Sequence, residues 1–240
     1  FGEGMPKIAI PISDSDFTGV RKSVNLIANS PCDLVEWRAD FYDHVDDPEV
    51  RIKPLTLFRN QLWNLPILFT VRTSVEGGML DIETKPYIDL ILAVIDSGLI
   101  DMVDVELSRG DTAVKTIVNA AHEAGVKVIG SRHNFHSTPD QEVIIRSLVR
   151  MQELGCDLVK YAVMPQNERD VLRLLDATLT MKEEHNDTPV LTMSMGHTGV
   201  VSRICGQLTG SCITFGTAGK ASAPGQLPAN GLSIFLKSLS

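Results

Sequence analysis

The chain has 240 residues, of which 43% are hydrophobic and 22% charged, which suits one large α/β domain or two small ones. Its net charge of -8 has the wrong sign for a nucleic-acid binder, and its 5% of aromatic residues are too few for base-stacking surfaces. The longest apolar runs are far shorter than the ~18 residues of a membrane span, and the first residues lack the pattern of a secretory signal. We therefore expect a cytoplasmic protein that binds neither nucleic acid nor membranes.

Short runs rich in apolar, β-branched residues recur along the whole chain. Eight of them are strand candidates, and their starts recur about every 29 residues, enough for a strand, a helix and two connections. The eight runs begin at residues 7, 33, 66, 99, 126, 156, 189 and 211. Helical patterns lie between several of them, and three of these patterns end before a glycine, which helix C-caps favour. The predicted helices cover residues 17–28, 85–96, 111–124, 140–154 and 167–184.

Alternating strands and helices predict a parallel sheet, either a closed (β/α)8 TIM barrel or an open doubly wound sheet. Eight near-equal units favour the barrel. An open Rossmann sheet would show a G-x-G-x-x-G motif after the first strand, where the sequence reads PISDSDFTGV. Because no linker-like segment divides the chain, we predict a single (β/α)8 domain over residues 1–240.

Charged side chains occur in or just after five consecutive predicted strands, where a buried strand should carry none. In VEWRAD, the two-residue period places Glu36, Arg38 and Asp40 on one face and Trp37 and Ala39 on the other. The next four strands deliver Arg72 and Glu76, Asp104 and Glu106, His133, and Lys160. Any one of these would suggest a rim salt bridge or a helix cap, but their convergence at one level predicts an active site at the carboxyl ends of the strands.

Lys160 is the most unusual of these residues, because it lies in the middle of an apolar strand. The simpler interpretation is a side chain whose amine reaches water past its apolar neighbours. Inside a barrel, burial and neighbouring arginines would instead lower the pKa of the amine from ~10.4 and leave it nucleophilic. The second interpretation predicts a carbonyl substrate held as a Schiff base.

His133 lies on the strand before Lys160 and is predicted to face the same pocket, where an imidazole can move protons near neutral pH. His136 lies past the strand end in a polar stretch, and we expect it to be an exposed loop residue. Either Glu76 or Asp104 could accept the second N–H of His133 and so fix its tautomer.

Three further patterns have weaker support. GSCITFGTAGK contains glycines and Lys220, but it lacks the glycine spacing of a phosphate-binding P-loop. The histidines and carboxylates around strands four and five lack metal-ligand spacing, and nearby cations would repel a metal ion, so we predict no metal site. Met193 and Met195 share one face of their strand, either as core residues or as an apolar wall of the pocket.

Seven strings in family order resemble type I 3-dehydroquinate dehydratases, the Schiff-base dehydroquinases of the shikimate pathway of aromatic amino acid biosynthesis. They are EWRAD at 36–40, TVRTSVEGG at 70–78, DVEL at 104–107, GSRHNFHSTP at 130–139, DLVKYAVMP at 157–165, TMSMGHTGVVSRICG at 192–206 and SAPGQL at 222–227. The resemblance implies a (β/α)8 barrel, commonly a homodimer, that converts 3-dehydroquinate to 3-dehydroshikimate with neither a metal nor an organic cofactor.

The resemblance also implies roles for individual residues. Lys160 would form the imine with the substrate ketone, His133 would be the general acid and base, and Glu76 would orient His133. The residues implied to contact the polar groups of the substrate are Glu36, Trp37, Arg38, Arg72, Arg203, Ser222 and Gln226, and those implied to wall its ring are Met193, Met195 and Phe215. Strand one is left out of the site, because its nearest serine, Ser13, is expected to be out of register.

Two other functions stay open at this point. A Schiff-base aldolase of the same barrel type would share Lys160, but it would handle a phosphorylated substrate and need a phosphate site after strands seven and eight. A non-catalytic binding protein with a relic pocket is the second alternative. Against it, Lys160, His133 and Arg203 are all present.

Overall fold

The computed structural model describes residues 2–219 and 221–239, so both ends of the predicted 1–240 domain and Lys220 lie outside the described residues. The strands are β1 Lys7–Ile12, β2 Leu34–Arg38, β3 Ile67–Thr70, β4 Met102–Glu106, β5 Lys127–Asn134, β6 Leu158–Val163, β7 Val190–Ser194, β8 Ile213–Thr217 and β9 Leu227–Pro228. The helices are α1 Phe17–Ile27, α2 Pro48–Gln61, α3 Thr84–Ile95, α4 Asp111–Glu123, α5 Gln141–Glu153, α6 Glu168–Glu184, α7 Gly206–Thr209 and α8 Ala229–Ser238. Within this part of the chain, no helix is both long and apolar enough to cross a membrane.

The strands form one curled parallel sheet in the order β7-β6-β5-β4-β3-β2-β1-β8-β9. The sheet curls so that β7 approaches β8: the N–H of Cys212, just before β8, donates to the carbonyl oxygen of Val190 in β7 at 2.9 Å. All eight predicted strands are present, and the predicted fold class, an α/β barrel of (β/α)8 type, is confirmed.

Two helices of more than one turn, α2 and α8, were not predicted from the sequence. In α2, Pro54 stands inside the helix, where it removes a backbone donor, and the apolar residues follow no clear helical period. The helix begins at a good cap nonetheless, since the Asp47 side chain accepts the N–H of Glu49 at 2.9 Å. Leu55 and Phe58 are buried against the barrel and hold α2 in place.

Trp37 lies on the outer face of β2, in the apolar layer between the strands and the helices. Its ring meets those of Tyr42, Phe58 and Phe69 edge to face, with centroids 5.6, 5.7 and 5.6 Å away. Side chains alternate along a strand, so Glu36 turns into the barrel and its neighbour Trp37 turns away from it. The expectation that Trp37 contacts the substrate is therefore corrected: this residue belongs to the core.

We predict that Trp37→Ala lowers the free energy of unfolding by about 3–5 kcal/mol, because it removes a large side chain from a packed aromatic cluster. Urea unfolding followed by far-UV circular dichroism measures the change. Trp63→Ala is the matched control, since Trp63 is 78% exposed, and we expect it to change stability by less than about 0.5 kcal/mol. Equal losses in the two variants would contradict the assignment of Trp37 to the core.

Candidate active site

On five neighbouring strands, the inner face of the barrel changes from apolar to polar within two residues. The lower level is apolar and consists of Ala9, Leu34, Leu68, Met102, Ile129, Leu158, Leu191 and Ile213. Two residues further on, five neighbouring strands carry buried polar side chains, Glu36, Thr70, Asp104, Ser131 and Lys160. Because side chains alternate along a strand, the residues two positions after the lower apolar level also point toward the barrel axis.

Arg72, just after β3, lies among the carboxylates of the site. Its guanidinium nitrogens are 2.8 Å from Asp104 Oδ2, 3.0 Å from Glu106 Oε1 and 3.7 Å from Glu76 Oε2. It also donates to Ser131 Oγ at 3.0 Å. Burial opposes the charged form of Arg72, but the three carboxylates outweigh it and raise its pKa above the usual value. The guanidinium is therefore the fixed cation around which the carboxylates are arranged.

Asp104 is shared between two cations. Its Oδ2 lies 2.8 Å from the Arg72 guanidinium and 3.1 Å from Lys160 Nζ, while its Oδ1 accepts a hydrogen bond from Ser131 Oγ at 2.5 Å. Burial alone would raise the pKa of Asp104, but Arg72, Lys160 and the Ser131 hydroxyl outweigh it, and the pKa lies below the usual value. Asp104 is therefore ionised at neutral pH.

The Lys160 side chain is only 5% exposed. Its amine lies 3.1 Å from Asp104, 3.9 Å from Glu36 Oε1 and 4.8 Å from the centroid of the Phe215 ring. The sequence indicated arginines as neighbours of this amine, whereas the structure places two carboxylates closest to it. Asp104 is 56 residues away along the chain, and only the pairing of β4, β5 and β6 brings it to Lys160.

His133, near the end of β5, is hydrogen bonded to Glu76 twice. Its Nδ1 lies 2.9 Å from Glu76 Oε2, and its backbone N–H donates to the same oxygen at 3.0 Å. Of the two carboxylates that the sequence offered as partners, the structure selects Glu76, because Asp104 is occupied by Arg72 and Lys160. A hydrogen on Nδ1 leaves Nε2 as the free acceptor, an assignment that follows from the hydrogen bond.

The charges around this pair favour a neutral imidazole. Burial, together with the cations Arg72, Lys160 and Arg38, lowers the pKa of His133 well below its usual value. Burial also raises the pKa of Glu76 to about 7, although Arg72 opposes this change. At neutral pH the pair therefore presents a neutral imidazole that can take up a proton.

Arg203, in a short 3-10 helix after β7, is the buried cation at the other side of the mouth. Its Nη2 donates to the carbonyl oxygen of Pro224 at 2.9 Å, and its Nε has no hydrogen-bond partner among the described residues. Burial lowers its pKa to about 10. A buried guanidinium with donors left over is a site for an anion with two acceptor oxygens, such as a carboxylate.

The loop after β8 covers this side of the mouth. Its Ser222 and Gln226 are hydrogen bonded to each other, with the Gln226 amide donating to Ser222 Oγ at 3.0 Å. Gly225 has a φ of +77°, and a Cβ there would lie 2.4 Å from the carbonyl oxygen of Gly196, so the position requires glycine. The N–H of Gly196 donates back to Pro224 O at 3.3 Å. The loop is therefore held on the segment after β7 by contacts of main chain with main chain.

One cavity brings these groups together. It is lined by Glu36, Arg38, Phe41, Arg72, Gly77, His133, Phe135, Lys160, Ala162, Met193, Met195, Arg203, Phe215, Ser222, Ala223 and Gln226. Glu76 lies behind His133, and Met193 and Met195 form an apolar wall. As expected, Ser13 lies in another cavity and His136 is exposed. In the described parts of the chain, no three His, Cys, Asp or Glu side chains are grouped so as to hold a metal ion.

Sequence reasoning missed several residues of this cavity. Ala162 could have been found, because it is in phase with Lys160 on the same strand. Phe135 had a weaker signal, as the one apolar residue in an otherwise polar loop. No sequence pattern indicated Phe41. Its ring contacts the guanidinium of Arg38, which lies 4.9 Å from the ring centroid, and this contact is visible only in the structure.

A buried lysine, a histidine paired with a carboxylate and a buried arginine with an unpaired donor, all in the mouth of a barrel, define a (β/α)8-barrel enzyme. The sequence model described as Type I 3-dehydroquinase matches residues 8–240, and the chain belongs to that family. The membership predicted from the seven strings is confirmed.

Individual relatives agree with this assignment. The 3-dehydroquinate dehydratase of Clostridium kluyveri is 47% identical over 240 residues, which cover 100% of this chain and 94% of the relative. That of Salmonella typhimurium is 46% identical over 226 residues, covering 94% and 90% of the two chains. The structure of the type I 3-dehydroquinate dehydratase from Clostridium difficile with covalently modified comenic acid has a TM-score of 0.95 and 44% identity, covering 99% of this chain and 93% of that one.

We predict that Arg72→Met destabilises the fold by about 3–5 kcal/mol at pH 7, because it leaves buried carboxylates without their cation. Asp104, whose low pKa stabilises the native state above its unfolded pKa, loses that contribution in the variant, and the carboxylates can then take up protons. The deficit should therefore shrink between pH 7 and pH 5, as measured by urea unfolding.

Lys85→Met is the control for Arg72→Met. Lys85 forms an exposed ion pair with Asp89, and its side chain is 84% exposed. We expect its loss to change stability by about 0.5 kcal/mol or less at either pH. A deficit in Arg72→Met that does not change with pH would contradict the buried-charge account.

Proposed function

We propose that this chain removes water from 3-dehydroquinate to give 3-dehydroshikimate, with Lys160 as the Schiff-base lysine and His133 as the general acid and base. The reaction class follows from family membership: the chain is a hydro-lyase, as the sequence predicted, and the shikimate pathway is its context. The observation that carries the residue roles is one cavity that holds a buried amine, the His133–Glu76 pair and the partly unpartnered guanidinium of Arg203.

The first step forms the imine. The unprotonated amine of Lys160 attacks the C3 ketone of the substrate, and loss of one water gives a protonated imine. That cation draws electrons from the adjacent C2–H bond and makes its proton acidic. Asp104, at 3.1 Å from Nζ, and Glu36, at 3.9 Å, lie where they stabilise the positive charge of the imine nitrogen.

The second step moves the protons. The Nε2 of His133 takes the C2 proton, and Glu76 stabilises the resulting imidazolium through its bond to Nδ1. The enamine then expels the C1 hydroxyl, which leaves as water with the proton from His133. Hydrolysis of the imine consumes one water, frees the Lys160 amine and releases the product. Two waters leave and one is consumed, so the net change is the loss of one water.

The groups that bind the substrate determine which of the hydrogens on its C2 faces His133. Arg203 is suited to grip the substrate carboxylate with its planar donors, and the loop residues Ser222 and Gln226 close over that end. Glu36 and Arg38, which line the same cavity, are suited to bind hydroxyl groups of the substrate. The apolar wall formed by Met193, Met195 and Phe215 suits the carbon ring of the substrate.

No observation favours the two alternatives that the sequence left open. A phosphate would need several charged or main-chain donors after β7 and β8, whereas the side chains that line the cavity there carry one guanidinium, one hydroxyl and one amide, those of Arg203, Ser222 and Gln226. A relic pocket would be expected to have lost at least one of its functional groups. Here the amine of Lys160, the imidazole of His133 and the guanidinium of Arg203 all line one cavity.

We further propose, from the family resemblance, that the chain is a single-domain subunit of a cytoplasmic homodimer and needs neither a metal nor an organic cofactor. The continuous sheet from β1 to β9 supports a single domain. Light scattering of the purified protein tests the dimer. An assay with and without a chelator tests the independence from metal and also separates the dehydratase from a metal-dependent activity.

We predict that borohydride, added with substrate, traps a covalent adduct on Lys160. Mass spectrometry of peptides should find the added mass on the Lys160 peptide, because this is the amine buried in the cavity. Lys127→Met is the matched control, since Lys127 pairs with Asp157 outside the cavity, and this variant should still be labelled. An adduct on Lys127 rather than on Lys160 would overturn the assignment.

Arg203→Lys keeps the charge but replaces the planar fork with a single ammonium group. We expect KM to rise about 10-fold or more, because one of the two hydrogen bonds to the carboxylate is lost. Arg146→Lys is the control, since the Arg146 side chain is 68% exposed. Steady-state kinetics measure both variants, and an unchanged KM in Arg203→Lys would show that Arg72 or Arg38 holds the carboxylate.

We predict that His133→Ala lowers kcat by about 10²- to 10⁴-fold, the usual contribution of a general acid and base. His136→Ala should leave kcat nearly unchanged, because His136 is exposed and does not line the cavity. Borohydride trapping gives a second readout, since imine formation remains possible without His133 and an intermediate can accumulate. Loss of turnover in His136→Ala, with turnover kept in His133→Ala, would reverse the assignment.

A further inference from the structure

Phe135 follows β5 directly, two residues after His133, and its backbone is held from both sides. Asn134 Oδ1 accepts the N–H groups of His136 and Ser137 at 2.9 Å each, which bends the chain into a tight turn around Phe135. The carbonyl of His136 accepts a hydrogen bond from the Gln166 amide at 2.8 Å. These hydrogen bonds of the loop therefore help to fix the direction of the Phe135 side chain, in addition to the contacts of the ring itself.

The Phe135 ring lies beside His133 and against Gly77, the residue that follows Glu76. It lies nearly parallel to the His133 imidazole, with the ring centroids 6.5 Å apart and the planes 22° from each other. Its edge lies on Gly77, the residue after Glu76: a Cβ at Gly77 would be 2.4 Å from two of the ring carbons. The ring therefore occupies the space that any other residue at position 77 would need for its side chain.

The same ring separates two cavities. On one side it lines the active-site cavity, where it packs against the inner apolar cluster that contains Ala162, Met193 and Phe215. On the other side it lines an outer cavity together with Val75, His136 and Arg132. His133 and Phe135 both line the two cavities, so the Phe135 ring is part of the wall between them, next to the imidazole.

We propose that Phe135 is a positioning residue, whose ring holds the His133 imidazole on Glu76 and keeps the water of the outer cavity away from their hydrogen bond. The charged groups around the imidazole are those of Glu76, Arg72, Lys160 and Arg38. The Phe135 ring is an uncharged neighbour of the imidazole. Without the ring, the imidazole can tilt and water can compete for Glu76, which weakens the alignment of Nε2 with the C2 proton. The kinetic part of this inference rests on the proposed function.

Phe135→Ala tests the proposal with two independent readouts. We expect kcat to fall about 10- to 100-fold, the size of loss that a displaced catalytic group produces, with a smaller change in KM. In protein labelled with ¹⁵N-histidine, the Nδ1–H signal of His133 should be protected in the wild-type chain and lost to exchange with water in the variant. The chain has six histidines, and His133→Ala identifies the signal.

Two further variants control the experiment. Phe135→Leu keeps an apolar wall, and we expect it to recover most of kcat and the protected signal. Val75→Ala alters the outer cavity only, at a side chain that is 73% exposed, and should change neither readout.

The outcomes separate this proposal from the proposed function. If KM rises in Phe135→Ala while kcat and the protected signal stay unchanged, the ring is only part of the substrate wall and the proposal is overturned. Failure of the wild-type chain to dehydrate 3-dehydroquinate would overturn the proposed function instead. The histidine signal would still report whether Phe135 protects the hydrogen bond.

Discussion

The active site depends on one buried guanidinium, that of Arg72, which neutralises carboxylates from two neighbouring segments of the barrel. Asp104 and Glu106 come from β4, and Glu76 comes from the loop after β3. Like charges at this depth would repel each other strongly without a cation between them. Because Arg72 is fixed, two of these carboxylates can also contact a reactive group, Asp104 the amine of Lys160 and Glu76 the imidazole of His133.

The two groups proposed to react, the amine of Lys160 and the imidazole of His133, have different electrostatic surroundings. The amine of Lys160 has carboxylates as its nearest charged neighbours, which suits the lasting positive charge of an imine. The imidazole of His133 is hydrogen bonded to the Glu76 carboxyl, but burial and the cations Arg72, Lys160 and Arg38 lower its pKa, which suits a group that must begin neutral. The separation is possible because the two residues lie on adjacent strands and meet different members of one charge network.

Local periodicity in the sequence predicted the strands and part of the site. The eight strands were predicted from short apolar, β-branched runs, the inward phase of Glu36 and Arg38 from alternation within one strand, and Lys160 from its place among apolar residues. The error at Trp37 arose because the resemblance of a whole string outweighed that same alternation. The partnership of Asp104 with Lys160 and the contact of Phe135 with Gly77 join segments distant along the chain, so only the fold could show them. The helix α2 was missed because its apolar residues follow no helical period.

The loop that carries Ser222 and Gln226 rests on main-chain atoms, with Gly225 lying on the carbonyl of Gly196. This support does not depend on side chains, but within the loop the Gln226 side chain also accepts the N–H of Ser222 at 2.9 Å. Side chains of the loop other than Gln226 could therefore be exchanged during evolution or design while the path of the loop stays the same. The shape of the loop and the chemistry it offers to a ligand are separable properties, which makes this loop a suitable place to alter substrate preference without rebuilding the barrel.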